Sequence, residues 1–307
     1  MELRQLNYFA RIVEQGSFRR AAISLHIAQP ALSQQISKLE LELGTKLLVR
    51  SIRGVIPTDA GSAFYKQAKS IIKQIGAIKH MVNNLDGSPS GSVSLGLATS
   101  TATILGPPFI SAMRKKLPSI QMEFTTSPSA HLSEMAINGR IDVSILFVKP
   151  PIKGLNIQKL LVESLFLIGP RGSLKTDKDI TLREAGGYPL MLPSAPNTLR
   201  NLVDTAFKEH GIAYVLQSEI NATYILKKTI LQGLGYSIMP WAAISDIAEQ
   251  NLIDARKVIE PELFREASIC VSDVVPKSYA TECVCELLIE TIHDLAARGI
   301  WRNIVLV

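Results

Sequence analysis

Between Asp59 and Asp86 the chain has no proline and no glycine pair, and its apolar positions Phe64, Ala68, Ile71, Ile75, Ile78, Val82 and Leu85 step by 4, 3, 4, 3, 4, 3. A seam of three heptads demands one continuous helix, roughly 40 Å long at about 1.5 Å per residue. So narrow a stripe is poorly covered by a globular core. The matching helix of a second copy is the expected cover, and burial as a long core helix is the alternative. Thr58 is placed to cap the start, and Asp86-Gly87-Ser88-Pro89-Ser90-Gly91 reads as a hinge. A rod over residues 59–87 thus divides the chain into a unit over 1–58 and a larger one over 88–307.

The charge divides at the same place. The first 87 residues carry 12 Lys+Arg against 6 Asp+Glu, and the remaining 220 carry 21 against 21, so the whole net charge of +6 sits in the smaller part. A basic unit joined to a neutral one suggests that the first meets a polyanion. Cys270, Cys283 and Cys285 are too few to staple 307 residues and read as reduced thiols of a cytosolic protein, with Cys283 and Cys285 expected to be buried on a helix. No signal-peptide pattern and no uninterrupted apolar run of about 18 residues is seen, even Leu160–Ile168 being broken by Glu163 and Ser164, so a membrane location is not expected.

Leu6, Phe9, Ala10 and Val13 recur at helical spacing up to Gly16. Ser17 is a candidate cap for a short second helix through Phe18, Ala21, Ala22 and Leu25. Pro30 suits the first position of a third, whose buried stripe is Leu32, Ile36, Leu39 and Leu43. The opposite face carries Gln29, Pro30, Ser33, Gln34, Ser37 and Lys38, with no acidic residue from Gly16 to Leu39. Such a face can lie in a major groove, where amides and hydroxyls meet base edges without repelling phosphates. A solvated surface is the plainer alternative. Next, Leu47–Arg50 and Val55–Pro57 flank Ser51-Ile52-Arg53-Gly54, a short hairpin that presents Arg50 and Arg53. Three helices and a basic hairpin predict a winged helix-turn-helix.

These residues carry a resemblance. The run Leu6-x-x-Phe9, Gly16-Ser17-Phe18, Ala21-Ala22, Gln29-Pro30-Ala31-Leu32-Ser33, Leu39-Glu40, Leu43-Gly44, Arg53-Gly54-Val55-x-Pro57-Thr58-x-Ala60-Gly61 resembles the LysR-type transcriptional regulators. Ile27–Gln35 together with Asn83-Asn84 is similar in particular to the nitrogen-assimilation-control branch of that family. The resemblance implies that Gln29, Pro30, Ser33 and Gln34 face bases or phosphates and that Arg53 is the wing contact. It implies a homodimer or homotetramer on an inverted-repeat operator in double-stranded DNA, and it admits RNA polymerase as a further partner. Ala28 stands where many members have Ser, and Gln34 where Arg is frequent, so a bidentate guanine contact is not expected at that position.

Beyond Gly91, strand and helix patterns alternate: strands at Val93–Leu97, Ile120–Thr126 and Ile141–Phe147, then a second series from Pro189. This predicts an α/β fold with parallel, doubly wound sheets in two units. Leu160–Gly169 and Glu266–Ser272 read as the two crossings between them. The arrangement resembles the effector-binding domain of the same family, related in fold to periplasmic binding proteins. The implied subdomains span about 91–162 with 270–307, and about 163–269; Gly139-Arg140-Ile141-Asp142 is among the signals. Ligands in such folds lie between the units, against helix N-termini that favour anions. Position selects Thr99, Ser100, Thr101, Ser127, Phe147, Asn197, Thr198 and Thr223, with Arg200 near the second unit's loop. The plainer alternative is that the hydroxyls and the amide among them are ordinary caps. Neither a metal-ligand spacing, a P-loop nor a nucleophile elbow occurs, so neither an enzyme nor a cofactor is expected.

Overall fold

The computed structural model describes residues 1–51, 54–83, 88–148, 150–174, 178–273 and 277–307. Its first unit comprises α1 (Leu3–Gln15), α2 (Phe18–Ser24), α3 (Gln29–Leu43), β1 (Leu48–Ser51) and β2 (Gly54–Pro57). Gly16 ends α1 in the left-handed region (φ 58°), and Ser17 Oγ accepts from Arg20 N to start α2. Phe9, Ile12, Leu32, Leu39 and Leu47 are almost fully buried, each worth about 1.5–3 kcal/mol relative to exposure.

Two expectations for α3 need correction. Pro30 is its second residue, and Leu43 is 40% exposed. The position that turns inward at this end is Glu40, whose Oε1 accepts from Leu47 N (2.9 Å) and Leu48 N (3.1 Å). A carboxylate can accept from these two amides at the start of the strand that follows α3, where a leucine cannot.

The hairpin closes in register Leu48↔Pro57 to Ser51↔Gly54. Gly54 has φ 117°, and a Cβ there would stand 2.5 Å from the Gly16 carbonyl oxygen, which accepts from Val55 N at 2.9 Å. The wing is therefore docked on the α1–α2 turn. Helix α4 (Asp59–Asn83) follows, started by Thr58 Oγ1 accepting from Gly61 N. Its seam is split. The half-buried Phe64 ring meets Phe9 edge-to-face at 5.1 Å, and Ala68 is buried within the single chain. The first turns of α4 lie against α1, and that packing takes them. Ile71 and Ile78 stay exposed and Ile75 half-buried. Leu85, the side chain of Val82 and the predicted hinge at Asp86-Gly87 lie outside the described residues.

The larger part contains β3 (Gly91–Leu97), α5 (Thr99–Lys116), β4 (Ile120–Thr126), α6 (Ser129–Ile137), β5 (Val143–Leu146) and β6 (Leu155–Pro170). There follow β7 (Ile180–Thr181), α7 (Leu182–Gly186), β8 (Pro189–Leu192), α8 (Thr198–Glu209), β9 (Val215–Glu219), α9 (Thr223–Leu231) and β10 (Ser237–Pro240). The chain ends with α10 (Trp241–Ala248), β11 (Ile253–Ile259), β12 (Phe264–Ser272), α11 (Tyr279–Ala297) and β13 (Ile304–Leu306). Strand order in the main sheet is β4-β3-β5-β12-β6-β11-β7, with β10 and β13 also on β6.

β3 pairs in parallel with β4 and β5, and β8 with β9, as the alternation predicts. The sheet as a whole is mixed, however. β6 and β12 are antiparallel to each other, and β10 is antiparallel to β6. One crossing leaves the first lobe and the other returns, so they must run in opposite directions. Leu95, Phe109, Ile145 and Leu288 centre one core; Leu165, Leu190, Phe207 and Val258 centre the other.

Candidate nucleic-acid interface and inter-lobe cleft

On α3 the side chains of Gln29, Pro30, Gln34, Ser37 and Lys38 are exposed and Ser33 is half-buried. Among the described residues, Gln29, Ser33, Gln34, Ser37 and Lys38 make no side-chain hydrogen bond or ion pair, so the face is unspent. Glu40, one turn beyond, fastens this helix to the wing: its Oε2 accepts from Lys46 Nζ at 2.7 Å, besides the two backbone bonds. Burial pushes its carboxyl up, but Lys46 and the amides of Leu47 and Leu48 outweigh burial and hold it below the usual carboxylate range. Thr58 Oγ1 donates to Lys46 O, and a Cβ on Gly61 would lie 1.9 Å from Leu47 O, so α4 is seated equally tightly behind the wing. Arg50 lies on β1, and Arg53 lies outside the described residues.

In the larger part, two of the predicted residues of the first lobe, Ser100 and Phe147, meet a cation that the sequence reading did not select. Arg265 on β12 stands opposite Glu163 on β6 where both strands cross between the lobes. Its Nε donates to Glu163 Oε1 at 2.7 Å and its Nη2 to Ser100 Oγ at 2.8 Å, while the guanidinium lies 3.5 Å above the Phe147 ring. Trp301 Nε1 donates to Glu163 Oε2 at 3.2 Å. Burial pulls the guanidinium below its ordinary value, and the Glu163 carboxylate opposes that shift. Thr99, Ser100 and Thr101 form the first turn of α5, and Thr101 Oγ1 is buried without a partner among the described residues. Phe147 N donates to Ser129 Oγ at 3.2 Å, and Ser127 N to Leu97 O at 3.4 Å.

On the second lobe, Asn197 Oδ1 accepts from Leu199 N at 2.9 Å and caps α8, with Thr198 as that helix's first residue and Thr223 as the first of α9. The plainer alternative therefore holds for Asn197. Arg200 is committed elsewhere: it binds Asp204 (2.8 Å), Glu219 (2.7 Å) and the Pro193 carbonyl (3.1 Å), so it has no charge to offer a ligand.

Residues 3–62 match the description "Bacterial regulatory helix-turn-helix protein, lysR family", and residues 86–292 match "LysR substrate binding domain". The chain belongs to the LysR family of transcriptional regulators. Like other LysR-family members it is a DNA-binding regulator rather than an enzyme. It is 33% identical over 295 residues to the nitrogen assimilation regulatory protein nac of Escherichia coli (strain K12), covering 96% of each chain. Full-length OxyR of Pseudomonas aeruginosa shares the fold, with a TM-score of 0.76 at 20% identity over 99% of this chain and 98% of that one. Full-length CbnR in complex with its target DNA is similar at TM-score 0.65 and 24% identity, covering 96% and 99%.

Within this LysR fold, the winged unit and the two-lobed domain stand as the sequence predicts. The missed residues are Glu40, Glu163, Arg265 and Trp301. A usable signal existed for two of them: Glu40 follows Leu39 in the family-like run, and Glu163 interrupts an apolar strand, which is costly unless it is paired. Arg265 and Trp301 carry no local signal. Cys285 is buried as expected, whereas Cys283 is half-buried; Cys270 is buried as well. Among the described residues there is no cluster of His, Cys, Asp or Glu able to hold a metal ion, and no helix long and apolar enough to cross a membrane.

Proposed function

We propose that two or more copies join through the upper half of α4, at Ile71, Ile75, Ile78 and Val82, with Leu85 beyond it in the sequence, and set paired α3 helices on an inverted-repeat operator. Gln29, Pro30, Ser33, Gln34, Ser37 and Lys38 meet the major groove, and Arg50 and Arg53 on the wing meet phosphate or the adjacent minor groove. The observation that supports this best is the unspent, acid-free face of α3 beside a wing held by Glu40. Retardation of duplexes selected from a randomised pool tests it: binding must be sequence-specific and fall steeply with salt. Equal affinity for selected and scrambled duplexes overturns it.

The lobes sense a small anion at the first turn of α5 and convert it into a changed quaternary arrangement on the operator. Two unspent groups support an anion: Thr101 Oγ1, and the Nη1 edge of Arg265, which makes no hydrogen bond among the described residues. A second reading, regulation without an effector, draws on the same residues. Ser100 and Phe147 already hold Arg265, and Arg265 already holds Glu163, so the cleft carries its own ion pair. Calorimetry with a panel of small carboxylates separates the readings: binding abolished by Ser100→Ala and Thr101→Val favours the first, and heat-silent titrations throughout favour the second.

A further inference from the structure

The turn Gly139-Arg140-Ile141-Asp142, between α6 and β5, serves neither the duplex-reading face nor the cleft. Asp142 fastens it to β3: Oδ2 accepts from Ser94 N and from Ser94 Oγ, both at 2.9 Å, and Asp142 N donates to Ser94 Oγ at 3.0 Å. Arg140, so held, places its guanidinium over the Tyr65 ring, 5.9 Å from the centroid. Tyr65 is on α4, is 4% exposed and lies in the core of the reader unit. Its Oη donates to Glu14 Oε1 on α1 at 3.3 Å, and Glu14 also binds Lys69 Nζ at 2.8 Å and Arg11 Nη1 at 3.3 Å. Burial and the Glu14 carboxylate push the Tyr65 phenol up to about 12, with Arg140 opposing them.

A cation of the first lobe, an aromatic ring of the rod and a carboxylate of the reader therefore form one chain of contacts. Its upper end, β3, leads straight into the first turn of α5, where Ser100 meets Arg265. At a separation near the limit of about 6 Å for a cation–π contact, the energy is modest. What such a contact can fix is an angle, because Arg140 is anchored through Asp142 and Tyr65 through the reader's core. We propose that Arg140 is a positioning residue for duplex recognition: seated on Tyr65, it sets the angle between reader and lobe, and so the half-site separation that a pair of readers accepts. This rests on the paired-reader reading above.

The test uses the full chain and duplexes selected from a randomised pool by the wild-type protein. They are prepared as a single half-site and as two half-sites with zero to about five base pairs inserted, which sweeps about half a duplex turn. The wild type is expected to show a preferred separation. Arg140→Ala should bind the single half-site within about two-fold of wild type, yet lose about five-fold or more of its preference for the best separation over the worst. Arg140→Lys should retain most of that preference, and Arg140→Glu, which sets a negative charge against the Tyr65 ring face, should retain least. A wild-type profile without a maximum removes the paired-reader reading and this proposal with it. A wild-type maximum that Arg140→Ala reproduces overturns this proposal alone. So does an equal loss on the single half-site, since the residue would then support the reader's fold rather than its angle.

Discussion

Arg265 and Glu163 face each other across β12 and β6 at the crossing between the lobes, with Nε 2.7 Å from Oε1, both side chains buried, and Ser100 and Trp301 as their further partners. Two charges withdrawn from water are tolerated only when each meets the other and the remaining donors and acceptors are filled. Here the pair stitches the two strands on which any movement of one lobe against the other must turn.

Breaking that pair from one side should be expensive. Glu163→Gln or Arg265→Ala is expected to lower the stability of the two-lobed domain by roughly 3–5 kcal/mol in urea unfolding, because the surviving charge stays buried. A double change, Glu163→Gln with Arg265→Met, should cost less than the sum of the singles. Additive losses would show that the two charges are not coupled.

Glu40 gives the reader unit an acid-sensitive staple. Its carboxyl titrates lower in the folded chain than in the unfolded one, so its contribution is complete above the ordinary carboxylate range and drains away as the pH falls below it. Thermal unfolding between about pH 3 and pH 6 should therefore be less steep in pH for Glu40→Gln than for wild type. At neutral pH the variant should also bind selected duplexes more weakly, since an amide loses the ion pair with Lys46 and accepts from the Leu47 and Leu48 amides less strongly than a carboxylate does. Parallel pH curves for the two proteins would contradict the assignment.

Gln34 stands exposed on α3, and its side chain makes no hydrogen bond among the described residues. Gln34→Ala should relax discrimination at one operator position by roughly 1–3 kcal/mol, read from competition with single-base variants of the selected duplex. A uniform loss across all sequences would assign the residue to the backbone instead.

Removing Arg53 should weaken binding and reduce the slope of log affinity against log salt by about one unit. An unchanged slope in Arg53→Ala takes the wing out of the phosphate footprint.

Ile78 is 54% exposed on the outer half of α4. Ile78→Glu is expected to shift the chain toward monomers in sedimentation, and Phe64→Ala to destabilise the reader by roughly 3–5 kcal/mol while leaving the assembly intact. The reverse pattern would return Phe64 to the seam between copies.

The sequence alone determined the order and type of the elements that position the exposed face of α3. Capping at Ser17 and Thr58, the turn at Gly54 and the periodicity of Leu32, Ile36 and Leu39 are local matters, settled within a few residues by backbone geometry and by which side must avoid water. The acid-free face of α3 was legible for the same reason. Only the tertiary structure decided what those elements meet. It showed that Phe64 packs against the reader's own core and that Ala68 is buried within the single chain, that Glu40 turns inward where Leu43 does not, and that Arg200 is already committed to Asp204 and Glu219. Above all, it brought Arg265 to Glu163 across 102 positions and Arg140 to Tyr65 across the domain boundary. A buried charge is stable only beside a particular partner, and which partner lies close depends on how distant strands come together. No local pattern carries that information.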